Sequence, residues 1–373
     1  MDKHLHIISL DVPWPADYGG VVDLFYKLVW LHKLGIKIHL HCFSGGRAPQ
    51  DELDKYCESV HYYSRKKFPA GVSLPLPYIV SSRNDDELLK NLQADNYPVL
   101  MEGVHCTYLL HKGALKDRKV FVRLHNVEFR YYRKLAANEK NIFKKLYFNI
   151  ESVLLKRYEK QIAGMAVFWT VSTEDETIYR KELGARSIGF LPVFLPWHQV
   201  NSQFEKGCFC LYHGNLSVNE NVRAVEWLLK EVFNDLSIPF VIAGRNPGAE
   251  LGELVHSNTS CCLVANPSEK EMQDLVKKAQ LNVLPSFNNT GVKLKILNAL
   301  YNGKYCLVND AAAGGAGFEG LCSIANTAAE FKHSITQLYG QPYNEQNATQ
   351  RQQVLDESYN NEKNARQLIS WIY

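Results

Sequence analysis

The sequence predicts an α/β protein of two Rossmann-like, doubly wound domains that face a central cleft. With 373 residues the chain is long enough for two ordinary hydrophobic cores. Apolar runs of strand length alternate with segments of helical periodicity from end to end. The alternation lapses once, at 187–207, where Pro192 and Pro196 interrupt any helix, and then restarts.

In the first half, the strand-like runs are almost continuously apolar, which is typical of a parallel sheet covered on both faces. The segment VVDLFYKLVWLHKLG between the first two runs has an apolar stripe and ends at Gly35, as a helix with a glycine C-cap does. The predicted strands are HLHIISL, IKIHLHCF, YPVLME, KVFVRL and AVFWTVS.

The second half repeats this alternation of strands and helices. Its predicted strands are CFCLYHGN, IPFVIAG, SCCLVAN, AQLNVLPS and KYCLVND. Helices are predicted in NVRAVEWLLKEVF, from Ser268 and in TGVKLKILNAL. The last segment is helical and rich in apolar residues, so we expect it to pack on one domain or to bridge both. The predicted limits are 1–193 for the N-terminal domain, 194–206 for a linker, 207–349 for the C-terminal domain and 350–373 for the terminal segment.

Composition and charge exclude several classes of protein. A net charge of +3 is too small for a nucleic-acid-binding protein, which has a clustered, strongly basic domain. No stretch approaches the roughly 18 apolar residues of a membrane span. The start reads as a strand rather than a signal peptide, and the nine scattered cysteines are typical of a reduced interior. We therefore expect a cytoplasmic protein.

Ligands of open α/β sheets bind at the carboxyl ends of the strands, so residues just after strands are the candidates for function. Gly19 and Gly20 follow the first strand and open a helix, where backbone N–H groups favour an anion; the alternative is a tight turn. Arg245 follows IPFVIAG, and its planar donors suit phosphate oxygens; the alternative is a surface arginine on a turn.

His125 and Glu128 follow the strand KVFVRL in HNVEFRYY. Their donors and acceptors suit a ligand with many hydroxyl groups. Alternatively, His125 is a structural histidine whose hydrogen bonds are made within the protein, and Asn126 beside it is a natural N-cap residue.

In TGVKLKILNAL, Lys293 and Lys295 bring positive charge to the first turns of a helix, where acidic residues are stabilising. This pattern predicts a bound anion. Lys295, Asn298 and Asn302 share one helical face at spacings of three and four, whereas Lys293 points elsewhere and is expected to be solvated.

Histidine pairs at strand spacing, His4 with His6 and His39 with His41, offer two ligands per strand for a metal. In a buried parallel sheet such pairs are more often structural, and no carboxylate cluster accompanies them in the sequence. We therefore expect no metal. The sequence also lacks a Gly-x-Gly-x-x-Gly motif after the first strand, a P-loop and a Gly-x-Ser-x-Gly elbow.

Taken in order, YGG, LHNVEFRYYRKLA, TVSTEDE, HGNLSVNENVRAVEWL, PFVIAGRNP and TGVKLKILNALYNGKYCLVN resemble the GT-B glycosyltransferases of family four. The similarity is greatest to the bacterial subgroup that acts in polysaccharide and glycoconjugate assembly, and it spans essentially the whole chain. It implies a retaining hexosyltransferase that uses a nucleotide-diphosphate sugar as co-substrate, a glycan or lipid-linked acceptor, no metal and no other cofactor.

The resemblance also implies roles for single residues. Those given a catalytic role are His125, Glu128, Arg245 and Lys295. Those expected to bind the donor are Gly19, Gly20, Gly214, Arg245, Gly291, Lys295 and Asn298. The chain departs from the family where two glutamates usually stand eight positions apart, because Thr290 and Asn298 occupy those positions. An asparagine replaces charge-assisted bonds to the nucleotide ribose by neutral ones, which are about half as strong.

A basic, aromatic segment at 129–160 carries nine Lys or Arg residues and three Glu residues, a net charge of +6. Such a helical segment can rest on an anionic membrane that presents a lipid-linked acceptor, which would place the protein on the inner face of the membrane. The alternative is a solvated helix face.

Two other function classes stay open. A nucleotide-sugar epimerase of the same fold would use acidic or histidine acid/base residues, of which His125 and Glu128 are the candidates. A non-catalytic binding subunit of the same fold is favoured by Asn298.

Overall fold

The computed structural model describes residues 2–318 and 320–373 and divides into two compact units. The first unit comprises Met1–Pro196, Thr290–Val292 and Tyr359–Tyr373. The second comprises Trp197–Asn289 and Lys293–Ser358. Each unit is built on its own parallel sheet.

The first unit contains seven strands, with helices between them. The strands are β1 (Lys3–Ser9), β2 (Ile36–Ser44), β3 (Ser59–Ser64), β4 (Val99–Glu102), β5 (Val120–Leu124), β6 (Val167–Thr170) and β7 (Ile188–Phe190). The helices are α1 (Gly19–Lys33), α2 (Tyr78–Ser81), α3 (Asp86–Gln93), α4 (Tyr108–His111), α5 (Glu128–Asn138), α6 (Ile142–Ile162) and α7 (Thr173–Ile178). The sheet order is β3-β2-β1-β4-β5-β6-β7, and its neighbouring strands are parallel.

Alternate residues of the central strands of this sheet enter two different cores. On β1, Ile7 lies in one hydrophobic cluster and Ile8 in the other; on β5, Phe121 and Val122 separate in the same way. All four are at most 4% exposed, so both faces of the sheet are covered. This confirms the prediction made from the unbroken apolar runs.

The described residues of the second unit form six strands. They are β8 (Cys210–Asn215), β9 (Phe240–Arg245), β10 (Cys261–Ala265), β11 (Leu281–Val283), β12 (Tyr305–Val308) and β13 (Ser323–Ile324). Its helices are α8 (Asn219–Trp227), α9 (Ala249–His256), α10 (Glu269–Lys278), α11 (Leu294–Asn302), α12 (Asp310–Ala313), α13 (Ala328–Gly340) and α14 (Glu345–Ser358). The order is β10-β9-β8-β11-β12-β13, again with parallel neighbours. Both sheets thus follow the doubly wound pattern.

All ten predicted strands are present, and the three that sequence reasoning missed are β3, β7 and β13. Each lies at an edge of its sheet. Edge strands are short or polar because one side lacks a neighbour, so they give a weak apolar signal. Short helical turns at Asp51–Lys55, Val104–Cys106, Tyr179–Leu183 and Leu228–Val232 complete the regular structure.

The end of the chain forms two helices. α14 belongs to the second unit, where the Arg351 guanidinium donates to the carbonyls of Leu300 and Gly303. The last helix, α15 (Asn361–Ile372), belongs to the first unit, where Leu368 and Ile372 join the core beside α1. Across 2–318 and 320–373, none of the helices combines the length and the apolar character that crossing a membrane requires.

Candidate functional site

In the first unit, His125 lies directly after β5 among buried charged residues. Its Nε2 is 3.0 Å from Glu102 Oε2, and its Nδ1 is 3.9 Å from Asp23 Oδ2. Glu102 is the last residue of β4 and Asp23 lies on α1, so three elements meet at the histidine. These three side chains form the group within the described residues whose ligand atoms lie close enough together to hold a metal ion.

The two carboxylates already have cationic partners. Lys27 Nζ is 2.7 Å from Glu102 Oε1 and 3.1 Å from Asp23 Oδ2, and Arg123 Nε is 3.1 Å from Asp23 Oδ2. Burial raises the pKa of Asp23, but Arg123 and Lys27 outweigh it and hold that pKa below its ordinary value. Two carboxylates and two fixed cations sum to zero, so the chemistry of the cluster fits a support for His125 better than a divalent ion site.

Gly19 and Gly20 open α1, as the sequence predicts. A side-chain carbon built on Gly19 meets no heavy atom within 4 Å, so the described atoms leave the backbone there accessible. The first turn of α1 carries no acidic side chain, and its N–H groups remain suited to an anion.

Glu128 is the first residue of α5 and is only 4% exposed. Burial, and then the neighbouring Glu159, raise the pKa of Glu128 to about 8. Glu159 accepts hydrogen bonds from the backbone N–H groups of Glu128 and Phe129, at 3.1 and 3.0 Å, and so caps α5. Glu128, three residues after His125 in the sequence, is therefore buried within the first unit. Its contact with a sugar stays a prediction.

Gly291 belongs to the first unit and meets the His125 segment. Its φ is +64°, in the region that favours glycine. A side-chain carbon there would lie 2.5 Å from Asn126 Oδ1 and 2.9 Å from the His125 carbonyl oxygen. The structure thus brings together two residues to which the resemblance gives separate roles, Gly291 for binding the donor and His125 for catalysis.

In the second unit, Lys295 lies in the first turn of α11. Its ammonium donates to the hydroxyl of Tyr212, at 2.9 Å, and to Oδ1 of Asn221, at 3.0 Å. It also lies 4.5 Å from the centre of the Tyr212 ring. Burial lowers the pKa of Lys295 to about 8, although Glu220 nearby opposes that shift.

Sequence reasoning missed Tyr212 and Asn221, which hold this lysine. The Tyr212 hydroxyl also bonds Asn221 Oδ1 at 3.1 Å, and Asn221 Nδ2 donates to the Asn215 carbonyl at 2.9 Å. Gly214 lies beside them, since a side-chain carbon on it would be 3.3 Å from Asn221 Nδ2. Asn221 could have been found from the segment HGNLSVNENV, because its polar residues follow a predicted strand.

Arg245 is the exposed last residue of β9. It is in register with Asn215 on β8, so it ends at the same edge of the sheet as Gly214. The turn that follows is fixed by Asn246, whose φ is +51° and whose N–H donates to Asn266 Oδ1 at 2.7 Å.

Two expectations for the α11 segment need correction. The helix begins at Leu294 and Lys293 takes the N-cap position, so only Lys295 places its charge within the helix. Asn298 is 7% exposed, and its Oδ1 accepts from Asn302 Nδ2 at 2.9 Å, while Lys295 binds outside the helix. The polar stripe therefore splits into an internal amide pair and a separate lysine.

The four predicted strand histidines pair across β1 and β2. His4 Nδ1 lies 3.0 Å from His39 Nε2, and His6 Nδ1 lies 2.8 Å from His41 Nε2. His6 Nε2 also bonds Asp95 at 3.0 Å. Burial lowers the pKa of His6 to about 4 and that of His41 to about 2, so both rings are neutral near pH 7. These partners fit the structural interpretation of the pairs.

No protein-family model matches the chain. It is 26% identical over 329 residues to an uncharacterized 44.6 kDa protein in the cps region of Klebsiella pneumoniae, covering 83% of this chain and 84% of that protein.

Several solved structures share the fold over 98% or more of both chains. The sucrose-phosphate synthase of Thermosynechococcus elongatus is similar with a TM-score of 0.72 at 12% identity, covering 99% of this chain and 98% of its own. A mutant of S. aureus TarM in complex with fondaparinux, alpha-GlcNAc-glycerol and UDP gives 0.67 at 10%, and Anabaena HepE in complex with UDP and glucose gives 0.64 at 11%; each comparison covers 99% of both chains. The chain therefore has the two-sheet α/β fold of the GT-B glycosyltransferases, as the sequence predicts.

Proposed function

We propose that this protein is a glycosyltransferase that moves a hexose from a nucleotide-diphosphate sugar to a glycan or lipid-linked acceptor, with retention of configuration and without a metal. The proposal combines the GT-B fold with one observation, the Lys295 ammonium held by Tyr212 and Asn221. The relative from a cps region supports a role in polysaccharide assembly.

Lys295 has the chemistry required to bind the leaving diphosphate. An ammonium has three N–H donors, and Tyr212 and Asn221 take two of them. We assign the third to a phosphate oxygen, and Arg245 to a second one through its planar donors. In the first unit, the helix N-terminus at Gly19 and Gly20 offers backbone N–H donors that also suit an anion.

In the proposed reaction the acceptor hydroxyl oxygen bonds to the anomeric carbon while the bond from that carbon to the phosphate oxygen breaks. The acceptor proton passes to the departing phosphate oxygen on the same face. The protein then acts by positioning the reactants and by stabilising negative charge on the diphosphate. His125 donates through Nε2 to Glu102, so its Nδ1 would accept a hydrogen bond from a sugar hydroxyl.

Thermal shift and calorimetry with a panel of nucleotide diphosphates and their sugars test this proposal. At least one nucleotide is expected to raise the melting temperature. Lys295→Ala is expected to weaken its binding by about 1–3 kcal/mol, the cost of a lost charged hydrogen bond. Lys230→Ala, at an exposed lysine of the same unit, is the matched control. A panel without any stabilising nucleotide would overturn the proposal.

A non-catalytic binding subunit is the second candidate, and Asn298 favours it. This residue stands at the family's ribose-binding position, but its side chain bonds Asn302 within the helix. Incubation with labelled nucleotide sugars separates the two functions: transfer to an acceptor supports the enzyme, and binding without turnover supports the subunit.

The acceptor proposal includes a place for the protein. We propose that residues 129–160 contact an anionic membrane on its cytoplasmic side, where a lipid-linked acceptor would be presented.

A further inference from the structure

We propose that α6 and the loop 65–75 together form one two-part surface that docks on an anionic lipid bilayer. The proposal rests on the proposed function for its purpose, which is access to a lipid-linked acceptor. It extends the predicted segment to a loop that sequence reasoning did not connect with it.

The first part is an apolar stripe along α6. Large apolar side chains normally appear singly on a protein surface, and a contiguous set marks an interaction site. On α6 five of them recur at helical spacing and point away from the core. They are Ile142, Phe143, Leu146, Ile150 and Val153, which are 74%, 80%, 59%, 49% and 69% exposed.

The opposite face of α6 anchors the helix in the first unit. Leu155, Tyr158 and Ile162 are fully buried there, and the Ser152 hydroxyl donates to the Phe129 carbonyl at 2.8 Å. The exposed stripe is therefore held on a fixed support.

The charge of α6 has one sign on its exposed surface. Its two carboxylates, Glu151 and Glu159, are both buried. Five cations are exposed on the same helix: Lys144, Lys145, Lys156, Arg157 and Lys160. An apolar stripe among exposed cations is the pattern of a helix that lies in the interface of an anionic membrane.

The second part is the loop 65–75, which repeats this chemistry. Phe68 and Leu74 are 77% and 76% exposed, and the loop also carries the exposed Lys66 and Lys67 but no acidic residue. Its backbone is held in place, since the Gly71 N–H donates to the Lys67 carbonyl at 2.9 Å.

Hydrogen bonds tie the loop to α6. The Glu151 carboxylate accepts from the backbone N–H of Tyr78, at 3.0 and 3.1 Å, just after the loop. The Tyr78 hydroxyl donates to the Lys66 carbonyl at 3.1 Å, and the Arg65 guanidinium lies 4.9 Å from the Tyr78 ring. Glu151 lies on α6 between Ile150 and Val153, so the segment that follows the loop is anchored to the helix that carries the apolar stripe.

The positive charge of this surface also indicates which partner binds there. A second copy of this chain would bring two strongly cationic surfaces together, which is unfavourable. An anionic bilayer accepts apolar side chains and attracts cations at once. We therefore assign the surface to lipid.

Flotation of the full chain with vesicles tests the assignment. Binding is expected to vesicles that contain phosphatidylglycerol, to fall in high salt, and to be weak with phosphatidylcholine alone. Phe143→Ser with Leu146→Ser is expected to lower partitioning on the order of tenfold, and Phe68→Ser to lower it less. Phe204→Ser, at a half-exposed aromatic residue of the other unit, is the control and should leave binding unchanged.

Three results would overturn the proposal: no retention by anionic vesicles, binding unaffected by the α6 pair, or binding unaffected by Phe68→Ser. Light scattering supplies a further check, because a dimer that the α6 pair converts to a monomer would assign the surface to a second copy. Nucleotide-induced thermal shift, measured on every variant, reports folding and tests the proposed function separately from docking.

Discussion

The two units treat their buried cations in opposite ways. In the first unit, Lys27 and Arg123 are paired with Asp23 and Glu102, so the charges of the network beside His125 sum to zero. In the second unit, the hydrogen-bond partners of Lys295 are a hydroxyl and an amide, both neutral. The first arrangement fixes a side chain, whereas the second keeps a positive charge available for an anionic ligand.

Breaking the first network should have the largest effect. Lys27→Met removes a cation that contacts two buried carboxylates, and it leaves Glu102 beside Asp23 without that partner. The expected loss in the free energy of unfolding is about 3–5 kcal/mol, as for other buried pairs cut on one side. Urea unfolding monitored by tryptophan fluorescence measures it.

Lys295→Met is the matched change in the second unit. Because its partners are neutral, the variant should lose much less stability than Lys27→Met. Equal losses in the two variants would contradict the difference drawn between the units.

The difference between the units also explains what the sequence could predict. Arg245 ends a strand and Lys295 lies in the first turn of a helix. Their charge stands out in an apolar context, so their positions could be predicted from the local pattern. Asp23, Lys27 and Glu102 lie within α1 and β4, and only the folding of distant segments brings them to His125. The burial of Glu128 could not be predicted from the sequence either, because it depends on the packing of α5 against Glu159 of α6.

Glu128 and Glu159 extend the comparison, because they form a buried acidic pair in the first unit. Burial first, and then mutual repulsion for Glu128, raise their pKa values to about 8 and about 7. A carboxyl with a raised folded-state pKa contributes stability that is full below its unfolded pKa and is lost as pH rises through the folded value. The stability of the first unit should therefore fall as pH rises from about 5 to about 8.

Glu128→Gln is expected to flatten this pH dependence, because a neutral amide does not ionise. Melting temperatures measured from pH 5 to pH 8.5 provide the check, with Glu253→Gln at an exposed position as control. The same slope in Glu128→Gln and in the unchanged protein would show that Glu128 does not titrate in this range.

The smallest effect expected is the most specific to the second unit, and it concerns the pH dependence of nucleotide binding. With its pKa lowered to about 8 by burial, Lys295 loses its proton as pH rises through that value. A nucleotide diphosphate is fully ionised there, so affinity should fall roughly tenfold per pH unit at most above pH 8. Lys295→Arg keeps its charge throughout and should bind with little pH dependence, because an arginine does not deprotonate in proteins. Calorimetric titration of both proteins from pH 7 to pH 9.5 compares the two slopes. If the affinity of both proteins falls equally with pH, the positive charge that binds the nucleotide belongs to another residue. Lys295 would then serve only to position Tyr212 and Asn221.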